Sequence, residues 1–386
     1  MSDPTGDRRV RLLVIVPSLR GGGAERVMTT LLRHLDRSRF QTTLCVVDMR
    51  AAAYSGDLPD DVDVVDLRCS RVRFAVPRIV RLIRRDCPDV VLSTLGHLNI
   101  AIAAVRPLLP NGIKYIAREA CVVTEYIKDS RMRTLWEWAY RHLYRRFDVV
   151  ICQSRDMQDD LVRRFALPQW KTALIHNPVD LERIGSVAYE RRREWQRVTL
   201  DDRPLMLVAA GRLVPQKGFD ILIEALSMCR NCAPCLTILG EGPLRSTLEA
   251  LAVRLGLAGR VLFAGFVRNP YAYFAGSDAF VLSSRYEGFP NVVLEALACG
   301  TRVIATPAPG GVAEIARLVG GVTVAQALDP RSLCAAIEQF AAGNVDARVP
   351  DLANVSARSI VRKYEELMLH GLGAVQPMDD DTEVRA

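Results

Sequence analysis

Short uninterrupted apolar runs, rich in Val, Ile and Leu, recur along this chain, and many end in a loop that opens a helical stretch. The first run is 10–16, with Arg11 its one polar residue; Gly21-Gly22-Gly23 follows, then a helix over about 24–35. A strand that is apolar at every position is buried on both faces, because successive side chains point to opposite sides. A parallel sheet flanked by helices meets that demand, since each crossover lays a helix on one face. Further strands are expected at 42–47, 62–65, 89–92, 114–117 and 148–152, with helices at 77–85 and 132–147 between them. Residues 181–203 break the alternation. They are polar, carry Arg191-Arg192-Arg193 and show no strand pattern, so they read as a connector. Strands then resume at 205–210, 236–239, 261–263, 279–282, 302–305 and 321–324, with helices opening at Gly218, Leu244 and Pro290. A last helix, over about 355–369, carries an apolar stripe of Ile360, Val361, Tyr364 and Leu367.

The expected fold class is α/β, with two doubly wound Rossmann-like domains facing a central cleft. The first is expected at 1–180, completed by the last helix at 355–370 crossing back onto it. A linker at 181–203 leads to the second at 204–354, and the acidic tail at 371–386 reads as disordered. Open α/β sheets bind ligands beyond the carboxyl ends of their strands. The expected site is therefore the cleft, with loops from both halves.

Composition narrows the partners. Charged residues are 25 % and hydrophobic residues 49 % of 386, which excludes a disordered chain, a coiled coil or a fibrous repeat. The net charge of +7 sits in the first half: 29 Lys and Arg face 21 Asp and Glu in residues 1–180, against 22 and 23 afterwards. A one-sided excess suits an anionic partner such as a membrane surface or phosphorylated acceptor, and equally a solvated basic face. The early apolar run 12–16 meets Pro17, far short of the ~20 residues that span a bilayer. A cytoplasmic protein is expected, peripheral on the inner membrane face at most. The ten cysteines then read as reduced thiols. Cys45, Cys87, Cys152 and Cys299 lie in apolar runs as small core residues.

Three stretches of the second half carry chemistry. In Arg285-Tyr-Glu-Gly-Phe-Pro-Asn-Val-Val-Leu-Glu-Ala296, Pro290 suits a first helical turn. Glu287 then lies in the preceding loop and Glu295 two turns inside the helix, while free N–H groups near Asn291 face an anion. Carboxylates accept paired hydroxyl hydrogen bonds well. In Gly211-Arg-Leu-Val-Pro-Gln-Lys-Gly218, Arg212 and Lys217 put two cations at the cleft mouth. Lys217 stands out because the chain holds five Lys against 46 Arg. In Gly240-Glu-Gly-Pro243 the glycines let backbone approach a phosphate closely.

The order Gly-Arg-Leu-x3-Lys-Gly, Gly-Glu-Gly-Pro, Glu-Gly-Phe-Pro-Asn-x3-Glu-Ala resembles retaining nucleotide-sugar glycosyltransferases of the GT-B fold, in glycosyltransferase family 4. Pro17-Ser-Leu-x-Gly-Gly-Gly-Ala-Glu-Arg26 is similar to that family's first loop, and Ser154 with Ile175-His-Asn-Pro-Val-Asp180 to its domain-closing segment. The resemblance implies sugar transfer from a donor, most simply a UDP-sugar, to a glycan or polyprenyl-diphosphate-linked glycan, with retention, in surface polysaccharide or lipopolysaccharide assembly. It implies that Arg212 and Lys217 bind the donor diphosphate and Glu295 the ribose. Glu287 would contact the transferred sugar, helped by backbone at Gly288 and Phe289, with Asn291, Gly240 and Gly242 also lining the donor site. Gly22 and Gly23 would face the phosphates from the other domain, and His97 would lie near the reacting sugar. Glu119 corresponds only loosely to a Ser-Glu-Arg-Asn segment of relatives. No cofactor and no metal are expected.

Other readings compete. A catalytically silent nucleotide-sugar-binding relative or a sugar-nucleotide epimerase would share the fold. Nucleic-acid binding could account for the charge, but no recognised module is present. His97 equally caps a helix or meets a loop carbonyl, Asn99 starts the next helix, and Asn177 shapes a turn with Pro178. Cys229, Cys232 and Cys235 have metal-like spacing without a near fourth ligand, so packing is the default. Asp61-Val-Asp63 reads as a solvated strand start. Gly21–Gly23 with Asp48 mimics a dinucleotide fingerprint whose Gly-x-Gly-x-x-Gly is absent. The stripe Ile79, Val80, Leu82 and Ile83 against Arg78, Arg81, Arg84 and Arg85 reads as a sheet-packed helix or a docking face for an anionic membrane. So does the mixture of Arg131, Arg133, Trp136, Trp138, Arg141, Arg145 and Arg146.

Overall fold

The computed structural model describes residues 8–50, 52–195, 203–344 and 348–370. It divides into two compact units, Met1–His176 with Ile360–Ala386, and Asn177–Ser359. The expected tail at 371–386 and residues 196–202 of the expected connector lie outside the described residues.

The first unit holds one parallel sheet of β1 (Val10–Ser18), β2 (Phe40–Asp48), β3 (Asp63–Asp66), β4 (Val90–Thr94), β5 (Lys114–Arg118), β6 (Val149–Cys152) and β7 (Thr172–Leu174). Their order is β3-β2-β1-β4-β5-β6-β7. Its helices are α1 (Gly23–His34), α2 (Val72–Asp86), α3 (Gly96–Val105), α4 (Val123–Ile127), α5 (Arg133–Leu143) and α6 (Arg155–Phe165), the last N-capped by Ser154. Residues 12–16 of β1 are at most 2 % exposed. Leu13 and Ile15 enter a core with Ile79 and Ile83 of α2 and Leu98 of α3. Leu12, Val14 and Val16 enter the opposite core, with Met28 and Leu31 of α1. Burial on both faces is why this strand is apolar from Leu12 to Val16.

The second unit holds β8 (Met206–Ala210), β9 (Cys235–Leu239), β10 (Val261–Gly265), β11 (Ala279–Leu282), β12 (Arg302–Ala305) and β13 (Val322–Val324). They form a second parallel sheet in the order β10-β9-β8-β11-β12-β13. Its helices are α7 (Leu181–Trp195), α8 (Phe219–Met228), α9 (Arg245–Arg254), α10 (Tyr271–Ala275), α11 (Asn291–Ala298), α12 (Val312–Leu318) and α13 (Pro330–Ala341). The stretch expected as a connector therefore opens with a helix. Ile184 and Ala188 of α7 are buried beside Tyr271 and Phe274, and Arg192 donates to the Ser277 carbonyl at 2.8 Å. The apolar positions of α7 are so diluted by charged ones that its stripe is faint in the sequence.

Helix α14 (Ala357–Leu369) belongs to the first unit from Ile360 on, where Ile360, Val361 and Tyr364 join the core around β1. Four hydrogen bonds hold it there. Asp36 N–H donates to Glu365 Oε1 at 2.7 Å, Arg118 Nε to Tyr364 Oη at 3.2 Å, and Lys114 Nζ to the Leu367 and His370 carbonyls at 2.6 and 2.8 Å. Lys114 is buried and serves the carbonyls that a helix end leaves without partners. Lys114→Met should lose about 1–3 kcal/mol and loosen the last turn. Hydrogen exchange over 364–370 should accelerate; unchanged protection would contradict this role.

Two local expectations are corrected. Helix α2 starts at Val72, not at Pro77, because buried Ala75 extends the Ile79–Ile83 stripe one turn earlier. Cys87 is exposed, in the left-handed conformation (φ 41°) that ends α2, whereas Cys45, Cys152 and Cys299 are buried as expected.

Candidate functional site

In each sheet the chain runs outward in both directions from one central strand pair, and loops at such a switch point form the ligand crevice of open α/β sheets. In the second sheet the pair is β8 and β11. The loop after β8 makes a 3₁₀ turn, Pro215–Lys217, and then Gly218 at φ 59°. A Cβ at Gly218 would lie 2.0 Å from the Ser283 carbonyl oxygen, so only glycine fits between the two loops. They interlock further: Arg285 N–H donates to the Gln216 carbonyl at 2.7 Å and Ser283 Oγ to the Lys217 carbonyl at 2.9 Å.

This interlock joins Lys217 and Glu287. Lys217 Nζ donates to Glu287 Oε1 at 2.5 Å, and Ser284 Oγ donates to the same oxygen at 2.6 Å. The Glu287 residue is 6 % exposed. A buried carboxylate needs such charged and polar partners. Arg212 stands exposed at the head of the same loop.

A third loop, unforeseen from the sequence, supports the candidate residues. Glu287 N–H donates to the Pro309 carbonyl at 2.9 Å, and Gly311 N–H to the Gly288 carbonyl at 2.6 Å. A Cβ at Gly310 would lie 2.1 Å from the Glu287 carbonyl oxygen. The signal was present: Pro307-Ala-Pro-Gly-Gly311 directly follows a strand. Asn177, expected only to shape a turn, donates from Nδ2 to the Phe289 carbonyl at 2.8 Å. Phe289 and Glu295 are buried, Glu295 within α11, and Asn291 opens that helix.

Gly240 and Gly242 have a different reason from the one expected. A Cβ at Gly240, where φ is 141°, would lie 2.0 Å from the Gly211 carbonyl oxygen. One at Gly242 would lie 2.4 Å from the Leu213 carbonyl oxygen. Both glycines let the loops after β8 and β9 pack backbone on backbone, which holds the loop bearing Arg212 and Lys217 in place.

In the first sheet the switch point is the pair β1 and β4. The glycine loop follows β1. The amides of Gly21 and Gly22 donate to Glu25 Oε2 at 3.1 and 2.6 Å, and Ser18 donates to Glu25 Oε1. The amide of Gly22, expected to face a phosphate, thus holds an internal carboxylate, while Gly23 opens α1. The pattern Gly-Gly-x-Glu at a helix start could have revealed this. Asp48, which a dinucleotide reading would use, is bound by Arg50 at 2.9 Å and Arg20 at 2.5 Å. Hydrogen bonds from Arg50 hold its carboxyl well below the usual range.

The loop after β4 carries His97, half-buried as the second residue of α3, and burial pushes its pKa below 6.5. Beneath it lies a buried polar cluster. Ser93 Oγ donates to Asn99 Oδ1 at 2.8 Å; Asn99 Nδ2 donates to Glu119 Oε1 at 3.3 Å and to the Arg118 carbonyl at 3.1 Å; Tyr144 Oη donates to Glu119 Oε1. Asn99 is thus a network residue as well as part of the helix start. Desolvation pushes the Glu119 carboxyl up to about 7 despite those hydrogen bonds. An unfolded Glu ionises near 4.5, so between 4.5 and about 7 the fold keeps a proton that the unfolded chain has lost. This group's stabilisation is therefore full below 4.5 and is lost as pH rises through 7. Glu119→Gln should remove that loss, on the order of 3 kcal/mol across the window. Denaturant titrations at about pH 5 and about pH 8 check this; parallel pH slopes in parent and variant would contradict it.

The basic stretches are partly structural. Arg141 and Arg145 donate to the Arg164 and Ala166 carbonyls at the end of α6, at 3.1 and 2.8 Å. Arg146 does the same for Ala103 at the end of α3, and Arg84 for Leu108. Trp136 packs against the core, whereas Tyr126, Met132, Leu135 and Trp138 are exposed. Asp61 pairs with Arg37 at 2.5 Å, and Asp63 opens β3. Among the described residues no three His, Cys, Asp or Glu side chains are grouped to hold a metal ion, and no disulfide joins any of the ten cysteines. No described helix is long and apolar enough to cross a membrane.

Comparison with known proteins agrees with this architecture. Residues 190–351 match the family model for glycosyl transferases group 1, and residues 21–183 that for glycosyltransferase family 4. A similar relative is the N-acetylgalactosamine-N,N'-diacetylbacillosaminyl-diphospho-undecaprenol 4-alpha-N-acetylgalactosaminyltransferase of Campylobacter jejuni. It is 30 % identical over 317 residues, covering 79 % of this chain and 83 % of that protein. The lipopolysaccharide core biosynthesis glycosyltransferase LpsE of Rhizobium meliloti is 28 % identical over 299 residues, covering 75 % and 77 %. Among solved structures, HepE of Anabaena in complex with UDP and glucose shares the fold, with a TM-score of 0.75 and 19 % identity over 93 % of this chain and 99 % of that one. WaaG, a glycosyltransferase involved in lipopolysaccharide biosynthesis, gives a TM-score of 0.72 and 17 % identity over 93 % and 100 %.

Proposed function

We propose, from the premise that this chain belongs to glycosyltransferase family 4 and has the GT-B fold, that it moves a sugar from a nucleotide donor, UDP-linked, to a glycan or polyprenyl-diphosphate-linked glycan. The anomeric configuration is retained, and the product serves surface polysaccharide or lipopolysaccharide assembly. The observation that carries this reading is the Lys217–Glu287–Ser284 cluster at the switch point of the second sheet. It puts a cation and a carboxylate, fixed by each other, where such sheets bind ligands.

In this reading Arg212 and Lys217 grip the donor diphosphate, Arg212 with its planar fork and Lys217 as a point charge. Negative charge grows on the leaving phosphate as the glycosidic bond breaks. A lysine already held by Glu287 meets that charge without rearranging, which is how fixed electrostatics lower a barrier. Glu295 accepts hydrogen bonds from the ribose hydroxyls, and Glu287 contacts the transferred sugar with backbone at Gly288 and Phe289. The positive charge comes from side chains, so the transfer is expected to proceed without a metal. The acceptor hydroxyl attacks from the face the phosphate leaves, which retains configuration without a protein nucleophile. Proton NMR of the sugar released by slow hydrolysis of a turned-over UDP-sugar tests this. The donor's anomer should appear first, before mutarotation; the opposite anomer would overturn retention.

The relative from Campylobacter jejuni, named for an undecaprenyl-diphosphate-linked acceptor, supports a lipid-linked acceptor here. The exposed band of Tyr126, Met132, Leu135 and Trp138, with Lys128, Arg131 and Arg133 beside it, supports peripheral docking on the inner face of the membrane. Vesicles with phosphatidylglycerol should carry the protein on flotation. Absence from both anionic and neutral vesicles would remove the membrane from this reading.

A further inference from the structure

The turn from β4 into α3 is under strain. Leu95, which is not glycine, sits at φ 76°, ψ 126° and is followed by Gly96 and His97. Such conformations cost of order 1–3 kcal/mol and persist where surroundings over-determine them. The surroundings are the polar cluster below. Leu95 N–H donates to the Arg118 carbonyl at 3.3 Å, and Asn99 Nδ2 donates to the same carbonyl. A Cβ at Gly96 would lie 2.0 Å from Tyr140 Oη and 3.7 Å from Glu119 Oε2. The turn therefore rests directly on the Glu119 carboxyl and the Tyr140 hydroxyl. Ser93, Asn99, Glu119, Tyr140 and Tyr144 are each at most 2 % exposed.

We infer that Glu119 is a positioning residue for the His97 turn, and that gain or loss of its proton switches the turn between two hydrogen-bond arrangements. The ionised carboxylate accepts from Tyr144 and Asn99 at Oε1. Once protonated it must also donate. Tyr140 Oη, for which no hydrogen bond of good geometry is seen among the described residues, lies with Oε2 against the Gly96 turn and would be the acceptor. Trading one arrangement for the other moves the two groups on which Gly96 sits, and His97 is the next residue. The groups facing Glu119 are Tyr140 of α5, Tyr144 just after it, Arg118 of β5, Cys152 of β6 and Asn99 of α3. Burial raises Tyr140, Tyr144 and Cys152, so all three stay neutral through the physiological range. Glu119 is the group in the cluster whose charge changes near pH 7.

The consequence for turnover rests on the reading of His97 as a residue of the transfer site; the following test does not, so the two can fail separately. The chain has five histidines. In protein labelled with 15N at histidine, with His97 assigned by its loss in His97→Gln, the ring signals are followed from about pH 5 to about pH 8.5. His97 should show its own titration below 6.5 and a second inflection near 7. Glu119→Gln, close in shape, should abolish the second inflection and keep the first. Tyr144→Phe removes a donor to the carboxylate and should move the second inflection upward. Superimposable His97 curves in parent and Glu119→Gln, or an inflection near 7 unmoved by Tyr144→Phe, would overturn the inference.

Discussion

Glu287→Gln should lower kcat by on the order of 10²–10³ while changing the donor KM far less, and Lys217→Ala should do comparable damage. The expected equality follows from geometry. The two side chains share one short hydrogen bond at 2.5 Å, and Ser284 completes the carboxylate's shell. Removing the carboxylate charge frees the lysine from the orientation in which it meets the leaving phosphate. Removing the lysine deletes the cation and leaves Glu287 buried beside a neutral partner, where its charge is disfavoured. Residues that act as a unit are non-additive. The double variant should therefore be roughly as slow as either single one. A double variant whose loss equals the product of the two single losses would mean that Lys217 and Glu287 act independently. Circular dichroism and melting curves must show all three variants folded before the kinetics are compared.

The largest stability effect is expected at a glycine. Gly240→Ala should destabilise the second unit by roughly 3–5 kcal/mol, from overpacking and from an unfavourable backbone conformation together. The new methyl would meet the Gly211 carbonyl oxygen at 2.0 Å, and both partners are backbone, so neither can step aside as a side chain would. The φ of 141° is one that residues with a Cβ rarely adopt. Gly256→Ala is the control: its φ is also positive, at 70°, but nothing lies within 4 Å of the added Cβ. It should cost about 1 kcal/mol through conformation alone. Denaturant midpoints decide the matter. A Gly240→Ala midpoint no lower than that of Gly256→Ala would show that the loops can part, and that Gly240 is not needed for their packing.

The elements that position the candidate site were legible where one local cause decided them. Strands buried on both faces announce themselves, and twelve of the thirteen begin within two residues of their expected starts, in runs such as 12–16 and 279–282; only β7 was not foreseen. Motifs anchored by glycine and proline also came through, because Gly218 and Pro290 have few other places to sit. Less legible was what depends on the partner. Helix α7 hides its stripe among arginines, and α2 begins before the proline that seemed to mark its start. The glycines of 240–242 were read as meeting a phosphate, yet they meet another loop. Glu25 occupying the amides at Gly21 and Gly22, Asn177 on Phe289, and Glu119 under His97 all need three-dimensional neighbours. The family resemblance pointed to Glu287 and Lys217 separately, whereas only the interlock of the loops after β8 and β11 shows that they form one ion pair.

The central claim is that the second unit holds a nucleotide sugar at the Lys217–Glu287 switch point. A thermal-shift panel of UDP-, GDP-, ADP- and dTDP-sugars, with and without chelator, tests it most directly on the full chain and on Lys217→Ala. One donor class should raise the melting temperature, by about 2.7 kcal/mol of stabilisation at 100 times its Kd. The shift should survive chelator and be smaller in Lys217→Ala. No shift with any sugar nucleotide, or an equal shift in Lys217→Ala, would contradict the account.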